Sequence, residues 1–213
     1  MKRPIVLSLM IFAALLMLTV MPADAQRRGE TMNLLDAMES GRVRAEFYGN
    51  GDQSVRGRIS RSPNGPDIVQ FQPGTQFQPT TPGRQGMGTL GSVEVDLSRR
   101  RLAWVEIPTA CTDYDLPAPT PMDRMIPEPP LSVPMARLAG TIGHHWPERE
   151  VSQIAVWAVA NDPGWEDIEE WVHERTRVSE PEQRERIAAD YRDQAARLVW
   201  EAGLNPARYR MFQ

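Results

Sequence analysis

The chain has 213 residues, a formal net charge of −4 and 24% charged residues. That length supports one core of ordinary size, and a mildly acidic surface excludes binding to a nucleic-acid backbone, which needs a concentrated basic patch. Lys2 is the only lysine, so past the amino terminus no catalytic lysine, Schiff base or Lys–Asn isopeptide bond is available.

Lys2 and Arg3, an apolar run from Ile5 to Val20 and the small-residue site Ala23-Asp24-Ala25 follow the order of a secretory leader. Residues 1–25 are therefore expected to be removed before Gln26. The mature chain is expected in the periplasm, at the cell surface or outside the cell. The apolar run is short for a membrane span and no second one follows, so no retained anchor is expected.

Residues 26–116 read as a β-rich body preceded by a short helix from Met32 to Met38, with Gly41 as its stop. Alternation of apolar and polar side chains predicts strands at Val43 to Phe47, Val55 to Ile59, Ile68 to Phe71, Val93 to Leu97 and Leu102 to Ile107. Turn residues separate them at Gly49-Asn50-Gly51, Pro63-Asn64-Gly65-Pro66 and Pro73-Gly74. Val93 to Ile107, interrupted by Ser98-Arg99-Arg100, reads as one hairpin.

Residues 117–134 are rich in proline and read as a connector, because proline holds the chain extended and gives no ladder donor. From residue 135 to 213 the period becomes helical. Ser132 caps a first helix, Pro147 opens a second, and Asp162-Pro163 starts a third. Ser179 and Glu182 stand at capping-box spacing before a fourth, which Gly203 stops. Strands first and helices afterwards predict an α+β fold, a small antiparallel β-sandwich followed by a C-terminal bundle of about four helices packed on the sheet.

Few residues offer chemistry. No phosphate loop or nucleophile elbow is present. His144 and His145 are adjacent, so they point to different sides and read as helix-end residues; His173 reads as a surface residue. Asp113 and Asp115 fit a solvated turn better than a calcium loop. No metal or cofactor is expected, and no base and nucleophile pair marks an enzyme. Trp146, Trp157, Trp165, Trp171 and Trp200 fall at helical spacing and read as core, whereas Trp104, alone on a strand, is the candidate ligand platform.

Cys111 is the single cysteine of an exported chain, where cysteines usually pair. It is either a small buried apolar side chain, a bridge between chains, or a sulfur that is used. The segment Ser152-Gln153-Ile154-Ala155-Val156-Trp157 resembles the Thr-Gln-x-Ala-aliphatic-Trp motif of thioester domains of bacterial surface proteins, with Ser152 in the threonine position. That resemblance implies that Cys111, upstream of Gln153, attacks the Gln153 carboxamide, expels ammonia and forms an internal thioester that acylates an amine on a partner. More broadly, the pattern of Gly41 to Gly51, Pro73-Gly74-Thr75, Gln85-Gly86-Met87, Cys111 and Gln153 to Trp165 is similar to secreted bacterial proteins with a β-rich body and a Gln-x-Ala-x-Trp helix. Read from the residues alone, Gln153 is a buried helix glutamine bonding backbone groups. The residues then predict a non-enzymatic exported binding or structural module, its partner an unspecified protein or envelope component. The alternative is an adhesin-like domain that bonds covalently to an amine through Cys111 and Gln153.

Overall fold

The computed structural model describes residues 29–213, so the expected leader lies outside the described residues. In chain order the strands are β1 (Thr31–Asn33), β2 (Val43–Gly49), β3 (Ser54–Arg61), β4 (Ile68–Phe71), β5 (Gln76–Pro79), β6 (Met87–Thr89), β7 (Val93–Asp96), β8 (Leu102–Cys111) and β9 (Arg124–Glu128). Helix α1 (Leu34–Glu39) precedes β2. Helices α2 (Val133–His145), α3 (Arg149–Ala160), α4 (Glu169–Arg175) and α5 (Pro181–Glu201) follow β9.

Six strands close into a barrel in the order β2-β3-β8-β6-β5-β9, and β1-β4-β7 form a separate three-stranded sheet. The alternating pattern sends one set of side chains into the barrel: Phe47, Ile59, Ile107, Met87, Phe77 and Met125 are all buried. Phe47 and Phe77 meet edge to face with ring centroids 4.9 Å apart, and Phe71 of β4 lies 5.9 Å from Phe47, so the small sheet is tied to the barrel's aromatic core. Gly57 faces Phe47 across the β2–β3 ladder, and a Cβ there would run into the ring.

The expected sandwich with a helical bundle after it is thus wrong: the fold is mixed α/β, built on a closed barrel, with five α-helices among the described residues. Alternation tells which face of a strand is buried, and that pattern is the same in a sandwich and a barrel. The closing strand, β9, lies inside the proline-rich stretch and contains Pro127, which hid it. The expected Val93 to Ile107 hairpin does not form either. Strand β7 pairs with β4, while β8 runs between β3 and β6.

Capping chemistry explains the helix ends. The Ser132 hydroxyl accepts from the Met135 N–H at 3.2 Å and starts α2, as expected. The Ser179–Glu182 box is absent: α5 begins on Glu180 and Pro181 with no side-chain cap, and Arg184 donates instead to the carbonyls of Val178 and Ser179. Gly203, with φ at +74°, ends α5 in the left-handed conformation. Trp157 is buried, but Trp146 and Trp200 are largely exposed, contrary to expectation. Both sit at helix ends or on an outer face, where spacing alone does not guarantee a neighbour.

Helix α3 is buried on every side, without a break from Val151 to Ala158, because α2, α5 and β8 all pack on it. Helix α2 meets the loop after β6 through two glycines: Gly91 donates its N–H to the Ala139 carbonyl at 2.9 Å, and a Cβ on Gly143 would collide with the Gly91 backbone. Gly143→Ala is expected to lower stability by about 1–3 kcal/mol, read as a reduced urea midpoint with an unchanged slope.

Candidate functional site

Strand β8 outruns its neighbour. Its ladder with β3 ends at the Ser54–Pro108 pair, and the Thr109 N–H donates to the carbonyl of Gln53. Cys111, the last residue of β8, keeps β6 on one side through its pairing with Met87. On the other side no strand reaches it, yet the residue is only 1% exposed.

Gln153 fills that place. The Cys111 N–H donates to Gln153 Oε1 at 3.0 Å, and Gln153 Nε2 donates to the Cys111 carbonyl at 2.7 Å. One side-chain amide therefore reproduces the two bonds of a missing strand, and Gln153 is itself 2% exposed. The two residues singled out by their types, 42 positions apart, are held together backbone to side chain. The expectation of a buried glutamine bonding backbone groups describes this contact.

The Cys111 side chain turns inward with Met87, its Sγ 3.6 Å from Met87 Sδ and 3.9 Å from the Asp52 carbonyl oxygen. Burial, with a smaller contribution from the Asp52 carboxylate, pushes its pKa up to about 12, and Arg149 opposes the rise. At neutral pH the group is a thiol.

A cavity of about 210 Å³ lies against this junction, its walls including Asp52, Gln85, Cys111, Gln153, Trp157 and Arg175. The proline-rich stretch supplies part of the wall and is pinned there. The Gln85 N–H donates to the Pro117 carbonyl and the Gly51 N–H to that of Pro119. Asp123 secures the same stretch by accepting from the Thr120 N–H at 2.7 Å, which, with the neighbouring hydroxyls, holds its carboxyl down at about 2.

Asp52 joins the barrel to the helices. Its carboxylate pairs with Arg149 of α3, and with Arg175 of α4 at 3.5 Å. The Arg175 guanidinium also lies 4.0 Å above the Trp171 ring, which meets Trp157 edge to face at 4.6 Å. Sequence reading missed Asp52, Arg149 and Arg175, and met Gln85 only within the Gln85-Gly86-Met87 pattern, with no role for it. The three missed residues come from separate segments and carry no motif; only the Gly49-Asn50-Gly51 turn before Asp52 marked a place where the chain doubles back.

Trp104 is 77% exposed on the outer wall of β8, with Arg58 6.0 Å from its ring centroid. It is not brought to the cavity. Seven residues of extended chain, about 23 Å, separate it from Cys111, and the two side chains leave the strand on opposite faces. His145 sits in the last turn of α2 as expected, 3.3 Å from Glu201. Asp113 accepts from the Gly86 N–H at 3.0 Å, a loop role. Glu169, His173 and Glu185 bring ligand-type atoms within 4.8 Å of one another, an arrangement able to hold a cation that sequence spacing did not indicate; His173 already faces Glu185 at 3.2 Å. Among the described residues no helix is long and apolar enough to cross a membrane.

Replacing Gln153 by Met keeps the volume and deletes both bonds to Cys111, leaving two buried backbone groups unpaired. A loss of about 2–5 kcal/mol is expected in urea unfolding, against about 1 kcal/mol for Cys111→Ala, which leaves the backbone bonds intact. Compared with known proteins, the chain matches no family model, no curated protein and no solved structure.

Proposed function

We propose that this chain is an exported module that captures amine-bearing partners covalently through a thioester between Cys111 and Gln153. The observation that carries the reading is the pair of hydrogen bonds fixing the Gln153 carboxamide on the backbone of the cysteine itself. Such a clamp holds the carboxamide beside the residue that carries the sulfur, and so lowers the entropy cost of an encounter between the two side chains.

The chemistry balances with no co-reactant. The Cys111 sulfur bonds to Gln153 Cδ, the bond from Cδ to Nε2 breaks, and the thiol proton leaves with ammonia. The Cys111 N–H, already donating to Oε1, faces the oxygen on which negative charge develops. An amine then attacks the same carbon, forming an amide and returning the thiol. Burial keeps water from the acyl group. The absence of lysine after Lys2 leaves no side-chain amine in residues 29–213 to consume it.

The test is the intact mass of the exported, mature protein kept free of amines. A mass low by one ammonia is expected, with a thiol that resists alkylation until an amine is added. Both Cys111→Ala and Gln153→Ala are expected to restore the calculated mass and abolish adducts with methylamine.

A second reading is favoured by the strand-completing geometry and by the Cys111 pKa near 12. In it Gln153 is a structural clasp, and the protein is a non-covalent binding module whose exposed Trp104 face meets the partner. Full calculated mass and a thiol that alkylates only on unfolding would establish that reading in place of the first.

A further inference from the structure

Two buried polar atoms beside the Cys111–Gln153 junction have no hydrogen-bond partner among the described residues: Nε1 of Trp157 and Oε1 of Gln85. The residues are 3% and 5% exposed, and both line the cavity that Cys111 and Gln153 line. A buried polar atom left unpaired is destabilising, so two of opposite kind at one cavity call for an explanation.

Their placement is specific. Trp157 follows Gln153 by one turn of α3, so the indole and the carboxamide share one face of the helix, and both line the cavity. Gln85 lies two residues before Met87, the ladder partner of Cys111, and the pairing continues past β6 because the Thr112 N–H donates to the Gly86 carbonyl at 2.9 Å. Gln85, Met87 and Cys111 therefore share one face of the wall.

Acyl transfer at Gln153 Cδ passes through a tetrahedral state with a negatively charged oxygen and a nitrogen that carries N–H groups. The oxygen gains from a second donor, and the nitrogen from a second acceptor, beyond those the Cys111 backbone supplies. The two orphans are one donor and one acceptor, so only one assignment works. Resting on the thioester reading, we infer that the Trp157 N–H is the second donor to the oxyanion, and that Gln85 Oε1 accepts from the nitrogen of the departing ammonia and of the arriving amine. The acceptor makes the site prefer primary amines, which keep an N–H after the attacking nitrogen has lost its proton, over secondary ones, which do not.

The experiment uses the mature protein with Trp157→Phe, Gln85→Leu and Gln85→Glu, following intact mass during thioester formation and during single-turnover capture of methylamine and dimethylamine, alongside thermal melting. Trp157→Phe is expected to slow both steps about 100-fold. Gln85→Leu is expected to slow methylamine capture about 10-fold while narrowing the preference over dimethylamine, and Gln85→Glu, which keeps an acceptor, to restore it. Wild-type protein that carries the thioester, together with Phe and Leu variants that react at wild-type rates and selectivity, overturns the inference and leaves the thioester reading standing. Wild-type protein at full calculated mass overturns both. Should the Phe variant melt early, β-(3-benzothienyl)alanine at position 157 keeps the indole outline without its N–H, and wild-type rates in that variant overturn the donor role.

Discussion

Backbone polar groups at the end of β8 are withdrawn from water but lie beyond the reach of β3. The pairing of the Gln153 amide with both backbone atoms of Cys111 satisfies them, and it fixes more than one residue. It sets the rotation of α3, since only one face of that helix presents Gln153 to the strand. That rotation in turn places Arg149 on Asp52 and Trp157 on the cavity wall. A helix turned by a single residue, about 100°, would strand the amide among apolar side chains and leave the end of β8 unpaired.

Much of this was legible in the sequence, and what was not has physical causes. Strands with one wet face announced themselves by alternation, and Ser132 and Gly203 marked helix ends by their own backbone chemistry. The closing strands β5, β6 and β9 are three to five residues long and carry Pro79, Gly88 or Pro127, so no period had room to develop. Barrel and sandwich differ in which strands pair, a long-range property that alternation does not encode. At the site, Cys111 and Gln153 stood out because an odd cysteine and a short motif are local signals. The residues around them had no role assigned, because an Asp, a Gln and two Arg in four segments acquire meaning only when the fold assembles them.

Burial at this junction cuts two ways. It raises the Cys111 pKa to about 12 and so reduces the thiolate fraction at neutral pH. It also excludes water and lets two hydrogen bonds act on one carboxamide at full strength. The arginines on Asp52 keep that carboxylate from raising the thiol further, and they tie the β2–β3 turn to α3 and α4 at the same time. Packing and electrostatics of the site are thus one arrangement, assembled where the barrel meets the helices.

The unbroken burial of α3 from Val151 to Ala158 also has a mechanical meaning. In the proposed exchange the new amide belongs to Gln153 and the sulfur is released, so a captured partner would hang from the middle of this helix. Tension on such a tether would enter the protein at an enclosed helix and spread into α2, α5 and β8 at once. To yield there, the fold would have to surrender its central packing in a single step, whereas a tether on a surface loop could be peeled away residue by residue.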